Sequence, residues 1–288
     1  MSFVVTGATG SLGRLIIDHL LTRGADPASI VGVGRNADRL AELAATGIRT
    51  AVVDYADRST LDAAFAGAST LMLVSGSEVG QRVEQHSNAI DAATAAGISR
   101  IVYTSAPHAD ATALILAPEH KATEELLRGS GTPFTILRNN WYTENYLETV
   151  EQARATGVYL ASTGEGRVAS ASRTDYAEAA AAVLLENGHE NTVYELSGDV
   201  AWDGTEFAAA LSVITGRNVI YTPVSPEEHT TVLLEAGLDE GTAGFVVALD
   251  ENIRDGLLAE TSGDLSRLIG RPTTPLVAGL AVGRRATA

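Results

Sequence analysis

The chain is 288 residues long, 45% hydrophobic, free of cysteine, and carries a formal net charge of −16. That length suits one large α/β domain, or such a domain with a smaller lobe. The acidity argues against nucleic acid or an anionic membrane as partner. The missing cysteines exclude disulfides, thiolate nucleophiles and cysteine-held metal, and no apolar run approaches the roughly 18 to 20 residues that span a bilayer.

The first predicted strand, Phe3-Val4-Val5-Thr6, leaves no room for a signal peptide, so a cytoplasmic protein is expected. It runs into Gly7-Ala8-Thr9-Gly10-Ser11-Leu12-Gly13, after which Leu12, Leu15, Ile16, Leu20 and Leu21 fall on one helical face. Ser29 to Val33 is a second apolar strand with Arg35 at its tip. Strand, glycine turn, helix and strand make one βαβ unit of the dinucleotide-binding type. Gly7 permits the tight turn, Gly10 lets a pyrophosphate approach the backbone, and Gly13 lets helix and strand pack closely. The helix start then offers free N–H groups to phosphate. NAD sites place an acid at the second strand's end. Here Arg35 stands there instead, suited to grip a 2′-phosphate, so NADP is the expected cofactor. The alternative is a solvated surface arginine.

Helices at 38–45, 61–65, 81–96 and 119–128 alternate with strands at 48–53, 70–74, 100–103 and 133–137. Fully apolar strands between helices predict a parallel sheet covered on both faces, a Rossmann-like doubly wound α/β fold. Ligands then sit at the carboxyl ends of the strands. Those ends are Gly7, Arg35, Asp54-Tyr55, Ser75-Gly76-Ser77, Thr104-Ser105 and Arg138-Asn139-Asn140. The second half predicts an alanine-rich helix at 174–186, capped by Ser172 or Thr174, and a late strand at 192–196. Helices at 205–215, 226–236 and 241–257 follow, with a strand at 218–223. Residues 1–140 are thus expected to form the NADP-binding domain, with 158–200 adding late strands. Residues 141–288 would form most of a smaller, interleaved substrate lobe.

A Tyr-x-x-x-Lys proton-donating pair is absent, because Lys121 is the only lysine and Ala117 stands four residues before it. His120 can move a proton near neutral pH, or be an exposed helix residue beside Glu119 and Lys121. His108 follows a strand end and could line the pocket or sit on a loop; His86 reads as structural. The histidines show no metal-binding spacing. In Asn139-Asn140-Trp141-Tyr142-Thr143-Glu144-Asn145-Tyr146, amides and aromatics crowd a strand end in a chain only 5% aromatic. Such rings can stack on a flat acceptor and amides can bond a carbonyl. The alternative is a hydrophobic anchor between lobes.

Thr6-Gly7-Ala8-Thr9-Gly10-x-Leu12-Gly13, Ser75-x-Ser77-Glu78-Val79-Gly80-Gln81-Arg82, the 138–146 run, Ser170-Ala171-x-Arg173-x-Asp175-Tyr176-Ala177 and Leu268-Ile269-Gly270-x-Pro272 resemble the NmrA-like, atypical short-chain dehydrogenase/reductases. The resemblance is strongest to their bacterial type-2 quinone-reducing branch, with triphenylmethane reductases near relatives, and covers nearly the whole chain. It implies direct hydride transfer from NADPH, without flavin, to a quinone or similar conjugated acceptor. It also implies NADP contacts at Gly7 to Leu12, Arg35, Ser77, Glu78, Val79, Asn140 to Asn145, and Ala171, Ser172 and Arg173 onward. His120, Tyr142 and Asn145 are the candidate catalytic residues. Trp141, Tyr142, Tyr146 and His108 are the candidate acceptor contacts. Many relatives carry lysine where His120 stands, which leaves the proton donor open. The competing readings are a non-enzymatic NADP-binding redox sensor, or a reductase of azo dyes, triphenylmethane dyes or ketones. A monomer or homodimer is expected.

Overall fold

The computed structural model describes residues 2–286. Strand β1 (Phe3–Val5) leads through the glycine turn into α1 (Ser11–Thr22), and a short 3₁₀ helix at Pro27–Ser29 enters β2 (Ile30–Gly34). Then come α2 (Ala37–Ala44), β3 (Arg49–Val52), α3 (Arg58–Phe65), β4 (Thr70–Leu73) and α4 (Arg82–Ala95). They are followed by β5 (Arg100–Ser105), α5 (Ala117–Gly129) and β6 (Phe134–Asn139). A 3₁₀ helix at Thr143–Tyr146 precedes α6 (Leu147–Thr156), β7 (Val158–Ala161), α7 (Arg173–Leu185) and β8 (Thr192–Leu196). The chain ends with α8 (Gly204–Thr215), β9 (Ile220–Pro223), α9 (Pro226–Glu235), α10 (Glu240–Arg254), α11 (Asp264–Ile269) and α12 (Leu276–Ala286).

Seven parallel strands form one sheet in the order β3-β2-β1-β4-β5-β6-β8. A parallel sheet is covered on both faces, and β1, β4, β5 and β6 are buried at every residue. On one face Ile16, Ile17 and Leu20 of α1 meet Ala177, Ala180 and Ala181 of α7. The alanines let α7 lie close to its neighbour. Leu61, Phe65, Ile90 and Leu127, from α3, α4 and α5, cover the other face with Tyr103 and Ile136 beneath them. The strand order reverses between β1 and β4, and a doubly wound sheet opens its ligand crevice at that switch point.

A third core builds the smaller lobe from Tyr159, Trp202, Phe207, Leu211, Ile253 and Leu280. Within it β7 pairs in parallel with β9, so of residues 158–200 it is β8 that joins the large sheet. Helices α6, α11 and α12 and strand β7 go beyond the elements expected from sequence. Ser172, not Thr174, caps α7, its hydroxyl accepting from Asp175 N at 3.1 Å. No helix among the described residues is long and apolar enough to cross a membrane.

Candidate active site

A cleft of about 650 Å³ opens at the carboxyl ends of β1, β2 and β4, walled by Gly7, Thr9 to Gly13, Arg35, Tyr55, Ser75 to Glu78, Tyr142 and Arg173. Its floor is the glycine turn. Gly7 takes φ +60°, a left-handed conformation open to glycine, and Gly10 N donates to Gly7 O at 2.9 Å. A Cβ on Gly13 would lie 2.3 Å from Gly7 O, so α1 packs against the turn at a distance only glycine allows. Gly10 caps α1 with extended backbone and no side-chain bond to the helix start. The first N–H groups of α1 therefore face the cleft unclaimed by a side chain, and a pyrophosphate fits there. Ala8, expected beside the cofactor, instead buries its methyl in the core and bonds Val33 O through its N–H at 3.0 Å. Only its backbone serves the turn.

Thr6 stitches the switch point shut beneath the cleft, accepting from Val74 N at 2.9 Å and donating to Met72 O at 3.2 Å. Arg35 stands at the end of β2, 67% exposed, and its guanidinium pairs with the Glu78 carboxylate. Arg39 brings a second guanidinium to the turn by donating to Thr9 O at 3.1 Å. Asn36, also on the cleft wall, caps α2 by accepting from Arg39 N at 3.0 Å. Positive charge thus gathers at one end of a cleft in an acidic protein.

The loop after β4 is pinned by a buried polar cluster. His86 Nε2 accepts from Gly76 N at 3.0 Å, and its Nδ1 lies 3.0 Å from Thr123 Oγ1. Because Nε2 accepts, Nδ1 carries the hydrogen. Burial, then the nearby Arg82, push this imidazole down to about 3, so it stays neutral. Arg82 Nε donates to Gly76 O at 2.8 Å, and Glu119 joins Arg82 Nη1 at 3.0 Å to Gly80 N at 2.8 Å. The structural role expected for His86 is what the geometry gives it.

At the far end Tyr142 and Arg173 form the wall. Asn139 Nδ2 donates to the Tyr142 hydroxyl at 3.2 Å, leaving that hydroxyl's own hydrogen free to donate elsewhere. Burial raises the Tyr142 pKa, so the phenol remains protonated. The Arg173 guanidinium lies 4.9 Å over the Tyr142 ring and is held by Asn145 Oδ1 at 2.8 Å. Both Glu144 oxygens accept from Arg173 N at 3.0 Å, with burial raising that carboxyl's pKa.

Other expected site residues lie elsewhere. His120 is neither exposed nor on the cleft wall: it is buried on α5, with Nδ1 2.7 Å from the Tyr103 hydroxyl. Burial, followed by Arg82 and His86, pushes it down to about 3. His108 is held between two carboxylates, Nε2 2.6 Å from Glu260 and Nδ1 3.3 Å from Glu195. With Asn140 it borders a separate cavity of about 10 Å³. Asn140 is committed within the protein, donating to Leu258 O at 3.1 Å and accepting from Trp141 N at 2.7 Å. Trp141 and Tyr146 pack against the smaller lobe's core, and Tyr146 meets Trp202 at 5.1 Å and Phe207 at 4.8 Å. Both partly buried rings thus make the contacts that the anchor alternative asks for.

Thr143 bonds Ser170, and Ala171 and Ser172 are buried. Asp54 is exposed and turns its carboxylate to Ala56 N at 2.9 Å, while Val79 is 70% exposed at the loop tip. Thr6, Asn36 and Gln85, at strand ends or on the helix that follows one, line the cleft without being among the candidates from sequence. The strand-end rule was the signal for Thr6 and Asn36. Nothing local marked Gln85.

The family model described as NAD(P)H-binding matches residues 7–187. Quinone oxidoreductase 2 of Escherichia coli is 46% identical over 94% of this chain and 95% of its own length. The E. coli NADPH-dependent quinone oxidoreductase solved with NADPH superposes with a TM-score of 0.92 at 45% identity, covering 97% of this chain and 99% of that one. The Citrobacter triphenylmethane reductase complexed with NADP(H) also gives 0.92, at 38% identity over 98% and 100%.

Proposed function

The chain belongs to the NAD(P)H-binding family, and from that membership we propose that it is an NADPH-dependent oxidoreductase passing hydride directly to quinones or similar conjugated acceptors. The observation that carries this is the near-whole-length similarity to an NADPH quinone oxidoreductase, joined to a cleft with a glycine cradle and Arg35 at the β2 end. The bound NADPH supplies the hydride. The α1 N–H groups would hold its pyrophosphate, and Arg35 and Asn36 would hold its 2′-phosphate. We place the enzyme in the cytoplasm, where this reductant is kept.

The chain's own residues would then orient and shield. The Tyr142 hydroxyl, positioned by Asn139, would donate a hydrogen bond at the far end of the cleft. Asn145 would act through Arg173, which it holds over the Tyr142 ring, and is a positioning residue. His120 is assigned no proton transfer to the acceptor, because its ring is neutral, buried and bonded to Tyr103. A reduced quinone is a stable anion that water can protonate, so no strong acid is required.

Likeness to a triphenylmethane reductase favours dyes as a second acceptor class. The test is NADPH oxidation measured across quinones, triphenylmethane and azo dyes and ketones, with NADH in parallel. Turnover fastest with a quinone and NADPH is expected. Cofactor binding without turnover of any acceptor would replace the enzyme with a redox sensor.

A further inference from the structure

Arg35 shares the cleft wall with the very carboxylate that pairs with it. Glu78 reaches it from the loop after β4, and Gln85 Nε2 braces the other Glu78 oxygen at 2.8 Å. Glu78 is not a loose surface acid. Its loop is fixed at Gly76 by His86 and Arg82 and at Gly80 by Glu119. The bonds from Gln85 and Arg35 hold its carboxyl below the usual range, so it is ionised at neutral pH.

An NAD site sets an acid from the second strand's end where it accepts from the ribose 2′-hydroxyl. Here a carboxylate arrives at the neighbouring guanidinium from a different strand. A 2′-phosphate must take the Arg35 fork from that carboxylate and then sit beside its negative charge. A 2′-hydroxyl meets no such repulsion and can donate to it.

We propose that Glu78 is a specificity-determining residue that competes with the 2′-phosphate for Arg35 and so narrows the preference for NADPH over NADH. This rests on reading Arg35 as the 2′-phosphate partner, and the experiment separates the two ideas. Adenosine 2′,5′-bisphosphate and 5′-AMP, which carry no nicotinamide, are titrated calorimetrically into the wild type, Glu78→Gln and Glu78→Ala, with melting curves confirming folding. Both variants should bind the bisphosphate about three- to fivefold more tightly, as a partly exposed ion pair allows. Binding of 5′-AMP should stay within about twofold, and added salt should shrink the gap between proteins. A wild type that prefers the bisphosphate, with the same preference in both variants, overturns the role of Glu78 alone. No preference in any of the three proteins overturns the 2′-phosphate reading with it. Weaker bisphosphate binding in both variants would make Glu78 a direct ligand contact, and would equally overturn the proposal.

Discussion

Replacing Gly13 by alanine tests the cradle most directly, because the added carbon meets backbone rather than a movable side chain. It would lie 2.3 Å from Gly7 O, 2.6 Å from Gly7 C and 3.0 Å from Ala8 N. Heavy atoms pack at about 3.5 Å, so α1 and the turn must separate by roughly 1 Å. Alanine is worth about 1 kcal/mol more than glycine inside a helix, and overpacking costs about 1–3 kcal/mol. With backbone on the receiving side the upper end applies, leaving about 2 kcal/mol of net destabilisation. At about 2–4 °C per kcal/mol for a chain near this size, Tm should fall by about 4 to 8 °C, and NADPH binding should weaken with it.

Gly10→Ala is the matched control. Its Cβ meets only Gly7 O, at 3.2 Å, and its φ of −90° suits alanine. Tm should move by less than about 2 °C, while the methyl in the phosphate's path should raise the NADPH Kd about tenfold or more. Differential scanning fluorimetry and fluorescence titration read both quantities. An unchanged or higher Tm in Gly13→Ala would show helix propensity alone at work and refute the close-packing argument. Equal NADPH affinity in Gly10→Ala and wild type would remove the pyrophosphate from the α1 N-terminus.

Arg35→Ala should weaken NADPH about tenfold and leave NADH nearly unchanged, because the guanidinium is charged but largely exposed; parallel losses for both cofactors would deny it the 2′-phosphate. Trp141→Ala should lower Tm without raising the quinone KM, since the ring packs with the smaller lobe's core; a raised KM at constant Tm would restore stacking on the acceptor. His86 and His120, both pushed down to about 3, stay neutral in the folded chain while the unfolded chain takes up protons near pH 6.5. Their contribution is therefore complete above about pH 6.5 and is lost as pH falls toward 3, by up to roughly 1.4 kcal/mol per unit for each. Tm measured from pH 8 to 4 should show this slope, and a flat profile would contradict the burial argument. His120→Ala should reduce the slope and Tm, removing the 2.7 Å bond to the Tyr103 hydroxyl at about 0.5–1.5 kcal/mol, yet leave the pH dependence of turnover with a good quinone unmoved.

Local chemistry made the first half of the fold readable. Apolar strands ending in Gly7, Arg35 and Ser75 were legible because a strand and its end depend on immediate neighbours in sequence, and the structure puts all three on the cleft wall. The pairing of Arg35 with Glu78 spans 43 residues and has no local signature, so it emerged only in three dimensions. His120 reads from sequence as a proton carrier or, beside Glu119 and Lys121, as an exposed helix residue, yet the helix turns it inward to Tyr103. Trp141 and Tyr146 looked like acceptor contacts because aromatics near a strand end serve both binding and packing. Their packing partners lie in the core of the smaller lobe, contributed by residues more than 50 positions away, such as Trp202 and Phe207. Helix α6 is polar on most of its surface and β7 is four residues long, too little pattern to stand out.

The path of the chain also limits how such a protein can be recombined. After β6 it departs into the smaller lobe, returns to lay α7 on α1 and β8 beside β6, departs again for α8 to α10, and comes back as α11 against the α7 side. A chimera made at a single junction near residue 140 would set Ile16, Ile17 and Leu20 against the other parent's α7, and β6 against the other parent's β8, contacts that were not matched to each other. Exchanging the smaller lobe between relatives therefore calls for several coordinated crossovers, with 169–199 and α11 travelling with the first 140 residues as one heritable block.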